Sequence, residues 1–146
     1  MNVDLEQRLA DYAARIEALT PDTLAELPAL FTPEVHFVDP FNDVHGTDAL
    51  LHVMRHMYEA CAEARFEVHE RALSGNIGLL HWSFHYRLRR FQPQRQRRID
   101  GMSRVVFTVD GRISEHVDHW DAARQVYEEV PLLGRLLAGL RRLLSA

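Results

Sequence analysis

Two acidic residues at the ends of predicted strands have the chemistry of a general acid or base. Asp39 stands before Pro40 at the end of a short apolar strand, and proline cannot continue the hydrogen-bond ladder there. Asp118 lies in the last strand, two residues after His116. Side chains two residues apart on a strand share a face, so His116 could orient this carboxylate or share a proton with it. Asp39 and Asp118 are therefore both candidate catalytic residues.

A purely structural role is the alternative for both acids. Aspartate before proline often caps a turn, which would occupy the carboxylate of Asp39. The group around Asp118 could be a polar network that fixes the last strand to the helices. Residue types and spacing leave both alternatives open.

The periodicity of apolar residues predicts the elements that carry these acids. Apolar residues recur at helical spacing near the amino terminus, and Thr20-Pro21 is a typical helix start. Ser74-Gly75-Asn76 and Asp110-Gly111 are typical hairpin turns. The pattern predicts helices at 5–19, 21–31 and 47–64, strands at 34–39, 65–73, 77–91, 95–109 and 112–120, and a helical region from 121 to the end.

Helices followed by a long antiparallel meander define an α+β domain. We expect the helices to cover one face of a strongly curved, mostly antiparallel sheet, so that the fold is cone-shaped and encloses a concavity for a ligand. The sequence shows no repeat or linker, so residues 1–146 form a single predicted domain. Residues 130–146 are an appended amphipathic helix with leucines on one face.

Strand alternation predicts which side chains point into the concavity. If Asp118 points inward, its neighbours two residues away on the same strand do too. Burial among aromatic side chains raises the pKa of a carboxyl group toward a value useful for proton transfer. The predicted catalytic residues are Asp39, Asp118, His116 and Tyr86, and the predicted lining of strand residues is Phe37, Trp82, Phe84, Ser103 and Trp120.

Composition excludes several classes of protein. The net charge of −4 argues against general nucleic-acid binding, and the single cysteine, Cys61, excludes an internal disulfide. The charged amino terminus lacks an apolar signal core, and no apolar run is long enough to span a bilayer, so we expect a cytoplasmic protein. His52 and His56 are four apart on a helix without an evident third ligand, so no metal is expected.

Two basic segments allow more than one interpretation. The run RLRRFQPQRQRR holds six arginines and could contact anions, but a solvated hairpin whose arginines pair with nearby acids is favoured. The leucine-rich tail could lie on a membrane, but a lid over the concavity or a dimer contact is favoured.

These elements resemble the nuclear transport factor 2-like superfamily, and within it the SnoaL-like and ketosteroid-isomerase-like proteins. The resemblance covers about residues 5–125. The matching segments are LAELPALFTPEVHFVDP, GTDALLHVMRHMY, GLLHWSFHYRL and FTVDGRISEHVDHWD. The resemblance implies the cone-shaped α+β fold. It does not name a reaction, because isomerases, cyclases, hydrolases and binding modules share this fold.

The catalytic positions of the steroid isomerases match this chain only in part. Their base, an aspartate before proline, corresponds to Asp39. Their oxyanion tyrosine corresponds to Arg15, with Tyr12 one turn earlier, and their neutral aspartate corresponds to Ser103. Tyr12, Tyr86 or Ser103 would have to supply the missing hydrogen bonds to an enolate oxygen.

Two other enzyme types on this fold point to the last strand. Epoxide hydrolases place a water-activating aspartate at Asp118, but their arginine–aspartate pair corresponds to Phe84 and Tyr86. SnoaL-like cyclases use an aspartate of the last strand, which is Asp118 or Asp121 depending on register.

We therefore expect a SnoaL-like protein that binds a small apolar or aromatic molecule. It could be a cofactor-independent acid/base isomerase, cyclase or hydrolase, or else a non-catalytic ligand-binding or protein-interaction module. Tyr12 joins the predicted ligand contacts through the resemblance. Apolar residues on the outer face of the sheet indicate a homodimer.

Overall fold

Two of the helices pack on the sheet and form one layer of the protein. The computed structural model describes residues 2–146. Asp4 begins the first helix by accepting a hydrogen bond from the backbone N–H of Gln7. The helices are α1 (Leu5–Glu17), α2 (Thr47–Ala60), α3 (Ala122–Gln125) and α4 (Leu133–Leu144), with 3₁₀ turns at Pro21–Leu30 and Tyr127–Glu129.

Six strands form the second layer, a single curved sheet. They are β1 (Phe31–Val38), β2 (Asp43–His45), β3 (Cys61–Ser74), β4 (Ile77–Leu88), β5 (Arg97–Phe107) and β6 (Ile113–His119). Their order is β2-β1-β6-β5-β4-β3, and only β1 and β6 run parallel. The predicted α+β fold is confirmed.

The structure moves predicted element boundaries and adds one strand. β1 begins at Phe31 rather than 34. Its pairing with β6 shifts register between Phe31 and His36, a stretch that includes Pro33, so the start of the strand has no regular pattern in the sequence. β2 was not predicted, since three residues are too few to show a period. The helix predicted to reach 64 ends at Ala60, because Cys61 and Ala62 pair with β4 and this pairing outweighs their helix propensity.

The core lies where α1 packs on the sheet. Leu9, Leu80 and Val105 are completely buried. A side chain at Gly78 would place its Cβ 2.7 Å from Leu9 Cδ1 and 2.9 Å from Val105 Cγ2. Gly78 therefore allows the close approach of α1 to the sheet, and this approach sets the position of every side chain that α1 carries.

The arginine-rich hairpin is tied to acidic residues of neighbouring elements. Arg87 forms an ion pair with Glu63 at 2.6 Å. Arg95 and Arg97 both contact the carboxylate of Glu129, at 2.9 and 3.0 Å. The Arg97 side chain is only 3% exposed, so it is a structural group that joins the hairpin to the turn before α4.

α4 packs on the preceding turn, and it leaves most of its leucines in solvent. Arg141 binds Glu128 at 2.7 Å, and Gly134 lies against the Glu128 backbone. Leu136 and Leu143 are 70% and 79% exposed. Among residues 2–146, no helix is both long enough and apolar enough to cross a membrane.

The two kinds of leucine should respond differently to truncation. Leu9→Ala should lower the free energy of unfolding by about 2–5 kcal/mol, because it opens a cavity between α1 and the sheet. Leu136→Ala should change it by less than about 0.5 kcal/mol, since that side chain is exposed. Urea unfolding followed by circular dichroism measures both. A large loss for Leu136→Ala would mean that α4 is covered in solution.

Candidate functional site

A cavity lies between the helical layer and the concave face of the sheet. About 530 Å³ of space, including its solvent-filled mouth, lies among these side chains. Its walls are mostly apolar, and five residues supply its polar groups. The lining residues are Tyr12, Ile16, Leu19, Leu27, Phe31, Phe37, Leu50, Met54, Phe66, Trp82, Ser103, His116 and Asp118.

The polar groups of the cavity form one continuous chain of hydrogen bonds. Ser103 and Asp118 are directly paired across β5 and β6, and the Ser103 hydroxyl donates to Asp118 Oδ1. His116 Nε2 lies 2.7 Å from the same oxygen, and His116 Nδ1 lies 2.7 Å from the Tyr12 hydroxyl. Trp82 Nε1 donates to the Ser103 hydroxyl at 2.8 Å. The chain thus joins α1 to three strands.

The Tyr12 phenol stays protonated in this chain. Burial, with a smaller contribution from the charge of Asp118, raises the pKa of Tyr12 well above its usual value. In the tautomer of His116 whose Nε2 donates to Asp118 Oδ1, the unprotonated Nδ1 accepts the phenolic proton of Tyr12. In this tautomer Asp118 is the acceptor at the centre of the chain.

The indole ring of Trp82 occupies the space left by the absent side chain of Gly101. Gly101 is the cross-strand partner of Trp82, and a Cβ at Gly101 would lie 2.6 Å from the indole ring. The ring fills this space and contacts Phe66 edge-on at 5.6 Å. Its N–H therefore points consistently at Ser103.

Asp39 does not line this cavity. Its carboxylate accepts hydrogen bonds from the backbone N–H groups of Phe41 and Asn42, both at 2.7 Å, and from the Asn42 amide. These bonds close the turn between β1 and β2. Asp39 and Asp118 share only a shallow surface depression beside Trp120. The two predicted acids are thus brought near the same rim, and Asp118 alone reaches the cavity.

Tyr86, Phe84 and Trp120 also lie outside the cavity lining. Phe84 stacks on the lining residue Phe66 at 4.6 Å and on Tyr86 at 5.0 Å. Burial raises the pKa of Tyr86 to about 12. Trp120 follows β6 and contacts the exposed Phe41 at 5.3 Å.

Sequence reasoning missed several apolar lining residues. Phe66 has a clear signal, because it alternates with the exposed Glu67 on β3 and pairs with Phe84. Leu50 and Met54 stand four residues apart in α2 and so share one helix face, but no sequence pattern shows that this face reaches the cavity. Leu27 and Phe31 come from the irregular segment around Pro28, for which periodicity is uninformative.

The cavity offers few ligands for a metal ion. His116 and Asp118 are the strongest metal-binding side chains in its lining, and they are hydrogen-bonded to each other. Catalytic zinc sites use three protein ligands. Cys61 is buried in the core, and its burial raises the thiol pKa to about 11, so it is poorly suited to nucleophilic chemistry.

The fold is that of a known family. The sequence profile of the SnoaL-like domain matches residues 12–116, and the chain belongs to that family. No curated protein matches by sequence.

Solved structures with the same fold cover nearly the whole chain. A nuclear transport factor 2-like protein of unknown function from Burkholderia pseudomallei is 19% identical, with a TM-score of 0.68 over 97% of this chain and 98% of that one. AclR from Streptomyces galilaeus, a proposed hydroxylase, is 17% identical, with a TM-score of 0.71 over 90% and 98%. A proposed SnoaL-like polyketide cyclase from Shewanella denitrificans is 20% identical, with a TM-score of 0.67 over 85% and 98%. Similarity at this level shows the fold alone.

The buried tyrosines predict a specific alkaline behaviour. Three of the four tyrosines, Tyr12, Tyr58 and Tyr86, have raised pKa values in the folded protein, chiefly because of burial, and those of Tyr58 and Tyr86 are about 12. At pH 11 these three should stay protonated until denaturant exposes them. Phenolate absorbance near 295 nm measures this. Release of all phenolic protons by pH 11 without unfolding would contradict the buried placement of Tyr12.

The same shifts set the sign of the stability change. Above about pH 10 the unfolded chain loses phenolic protons that the folded protein retains. The stabilisation is therefore complete below pH 10, and it is lost as the pH rises through about 12, the folded value for Tyr58 and Tyr86.

Proposed function

We propose that the protein is a cofactor-independent enzyme that transfers a proton on a small, largely apolar molecule, with Asp118 as the general base and acid. The observation that carries the proposal is the hydrogen-bond chain from Tyr12 through His116 and Asp118 to Ser103 and Trp82, set in an apolar cavity. Family membership supports the proposal, because proteins described as polyketide cyclases share this fold.

The hydrogen bonds around Asp118 leave one of its oxygens for a ligand. Within residues 2–146, the bonds from Ser103 and His116 both fall on Oδ1. Oδ2 is therefore the atom that would accept a proton from a bound molecule. Because two donors hold the carboxylate from neighbouring positions, it is already oriented before a ligand arrives.

The direction of the donors favours one type of substrate. Ser103 and Trp82 direct their protons along the chain, and Tyr12 does so in the His116 tautomer whose Nε2 donates to Asp118. The cavity therefore offers an acceptor rather than a donor, which suits a molecule with an acidic C–H or O–H group. The carboxylate would take that proton at Oδ2 and return it at another atom, as an isomerisation or ring closure requires.

A ligand-binding module is the second candidate. The donors of the cavity are already used within the hydrogen-bond chain, and this favours the binding module. An enzyme that forms an enolate would gain most from a free donor at the developing oxyanion. In this alternative the apolar walls provide affinity and Asp118 provides orientation without turnover.

Proton exchange on a simple ketone tests the enzyme proposal. The probe is 2-tetralone in D₂O, a small bicyclic ketone with acidic α protons, and ¹H NMR measures their loss. Asp118→Asn should slow the protein-catalysed exchange about 10²–10⁴-fold, since the base is removed. Asp48→Asn, which changes an exposed acid at the start of α2, is the matched control.

Tryptophan fluorescence separates the two candidates in the same samples. Trp82 lines the cavity and Trp120 does not, so Trp120→Phe isolates the reporter. Ketone binding without exchange would reject the enzyme proposal and support the binding module. Equal exchange by wild type and Asp118→Asn would show that Asp118 is not the base.

The proposal includes a homodimer formed through the outer face of the sheet. Met102 and Leu79 are 47% and 37% exposed there, between histidine–glutamate pairs such as His85 and Glu67 at 3.1 Å. Met102→Arg should convert the dimer to a monomer, because it places a charge in an apolar contact. Light scattering after size exclusion gives the mass. A monomeric wild-type protein would contradict this assembly.

A further inference from the structure

The hairpin of β1 and β2 brings two histidines and an aspartate together outside the cavity. His36 and His45 are directly paired across the two strands, and Asp43 pairs with Val38. Since side chains two apart on a strand share a face, all three project from one side of the hairpin. Their potential ligand atoms lie within 4.8 Å of one another. The hairpin thus brings together three potential metal ligands that are separated in the sequence.

The donor set is one that transition metals prefer. His36 Nε2 lies 2.7 Å from Asp43 Oδ1, and the rings of His36 and His45 stack with centroids 4.2 Å apart. Two imidazoles and one carboxylate suit Zn²⁺ and Ni²⁺, and they suit Mg²⁺ and Ca²⁺ poorly, because those ions require oxygen ligands.

We propose that His36, Asp43 and His45 form a binding site for a divalent transition-metal ion such as Zn²⁺. Zinc bonds of about 2.0–2.2 Å place tetrahedral ligand atoms about 3.3 Å apart. To reach this value, the Asp43 carboxylate would have to withdraw slightly from His36, and the two stacked rings would have to turn toward a common point.

The backbone under the three ligands is already fixed. The Asp39 carboxylate closes the connecting turn, and the N–H of Gly46 donates to the carbonyl of Val35 at 2.8 Å. β1 is also paired to β6 on its other side. The ion would therefore bind without first ordering a loop, which lowers the cost of binding.

The site is accessible to solvent, and its three ligands do not fill a tetrahedral coordination sphere. The side chains of His36 and Asp43 are 33% and 68% exposed. Three protein ligands leave a fourth tetrahedral position for water or a small ligand.

Bound metal would stiffen a strand of the cavity wall. Phe37 follows His36 and points the opposite way, into the cavity, where its ring lies 5.3 Å from His116. A metal ion on the outer side would cross-link β1 to β2 behind this ring. The three ligands themselves take no direct part in the proposed proton transfer, because none of them lines the cavity.

Calorimetric titration of the full chain with ZnCl₂ at neutral pH tests the site. One ion should bind per chain, and the melting temperature should rise with Zn²⁺ and fall back with EDTA. His45→Ala should weaken binding about tenfold or more, since it removes a ligand. Asp43→Asn should do the same, and it keeps the shape of the hairpin if His45→Ala disturbs folding. MgCl₂ should not reproduce the effect.

His56→Ala is the matched control. His56 is another exposed histidine near an acid, 3.9 Å from Glu59 on α2, and its loss should leave Zn²⁺ affinity unchanged. The proposal is overturned if submillimolar Zn²⁺ does not bind wild type, or if His45→Ala and Asp43→Asn bind it as tightly as wild type. The latter result would place the ion elsewhere, for example on the histidines of the outer sheet face. None of these measurements requires a substrate.

Discussion

The central interaction of the structure is the hydrogen bonding of the Asp118 carboxylate, which lies against the apolar walls of the cavity. A carboxylate removed from water is costly unless hydrogen bonds replace its hydration. Ser103 and His116 provide these bonds, and Tyr12 in turn occupies the second nitrogen of His116. Because these partners come from β5, β6 and α1, the helix cannot slide along the sheet without leaving a buried polar group unpaired. A single charge thus fixes the registration of the two layers.

The fold was predictable from the sequence because most of its elements are long enough to show a period. The helix around Leu9 and Tyr12 and the long strands β4 and β5 follow from apolar spacing alone. Positions where tertiary pairing decides were not predictable. Cys61 lies in a run of good helix formers, and it is extended because β4 offers a partner.

The site was predictable where strand alternation applies and unpredictable where it does not. Trp82, Ser103 and Asp118 line the cavity as their strands alternate. Phe84 shares a face with Trp82 but does not line the cavity, and Phe66 of the neighbouring strand, which stacks on Phe84, does. The pattern of a single strand does not contain this cross-strand placement. Asp39 follows the strand into a turn, where backbone N–H groups capture its carboxylate.

The parallel pairing of β1 with β6 has a consequence for the order of events on the ribosome. Phe37 of β1 is bonded in register with His116 of β6, near the other end of the chain. A contact between residues so far apart in sequence forms late, because the entropy cost of closing the long loop comes before the stabilisation by the contact. During co-translational folding, β3, β4 and β5 can assemble as a local meander while the β1–β2 hairpin waits as an exposed edge. The nascent cavity therefore stays open on that side until β6 has emerged, and a chaperone that shields edge strands would have its target there.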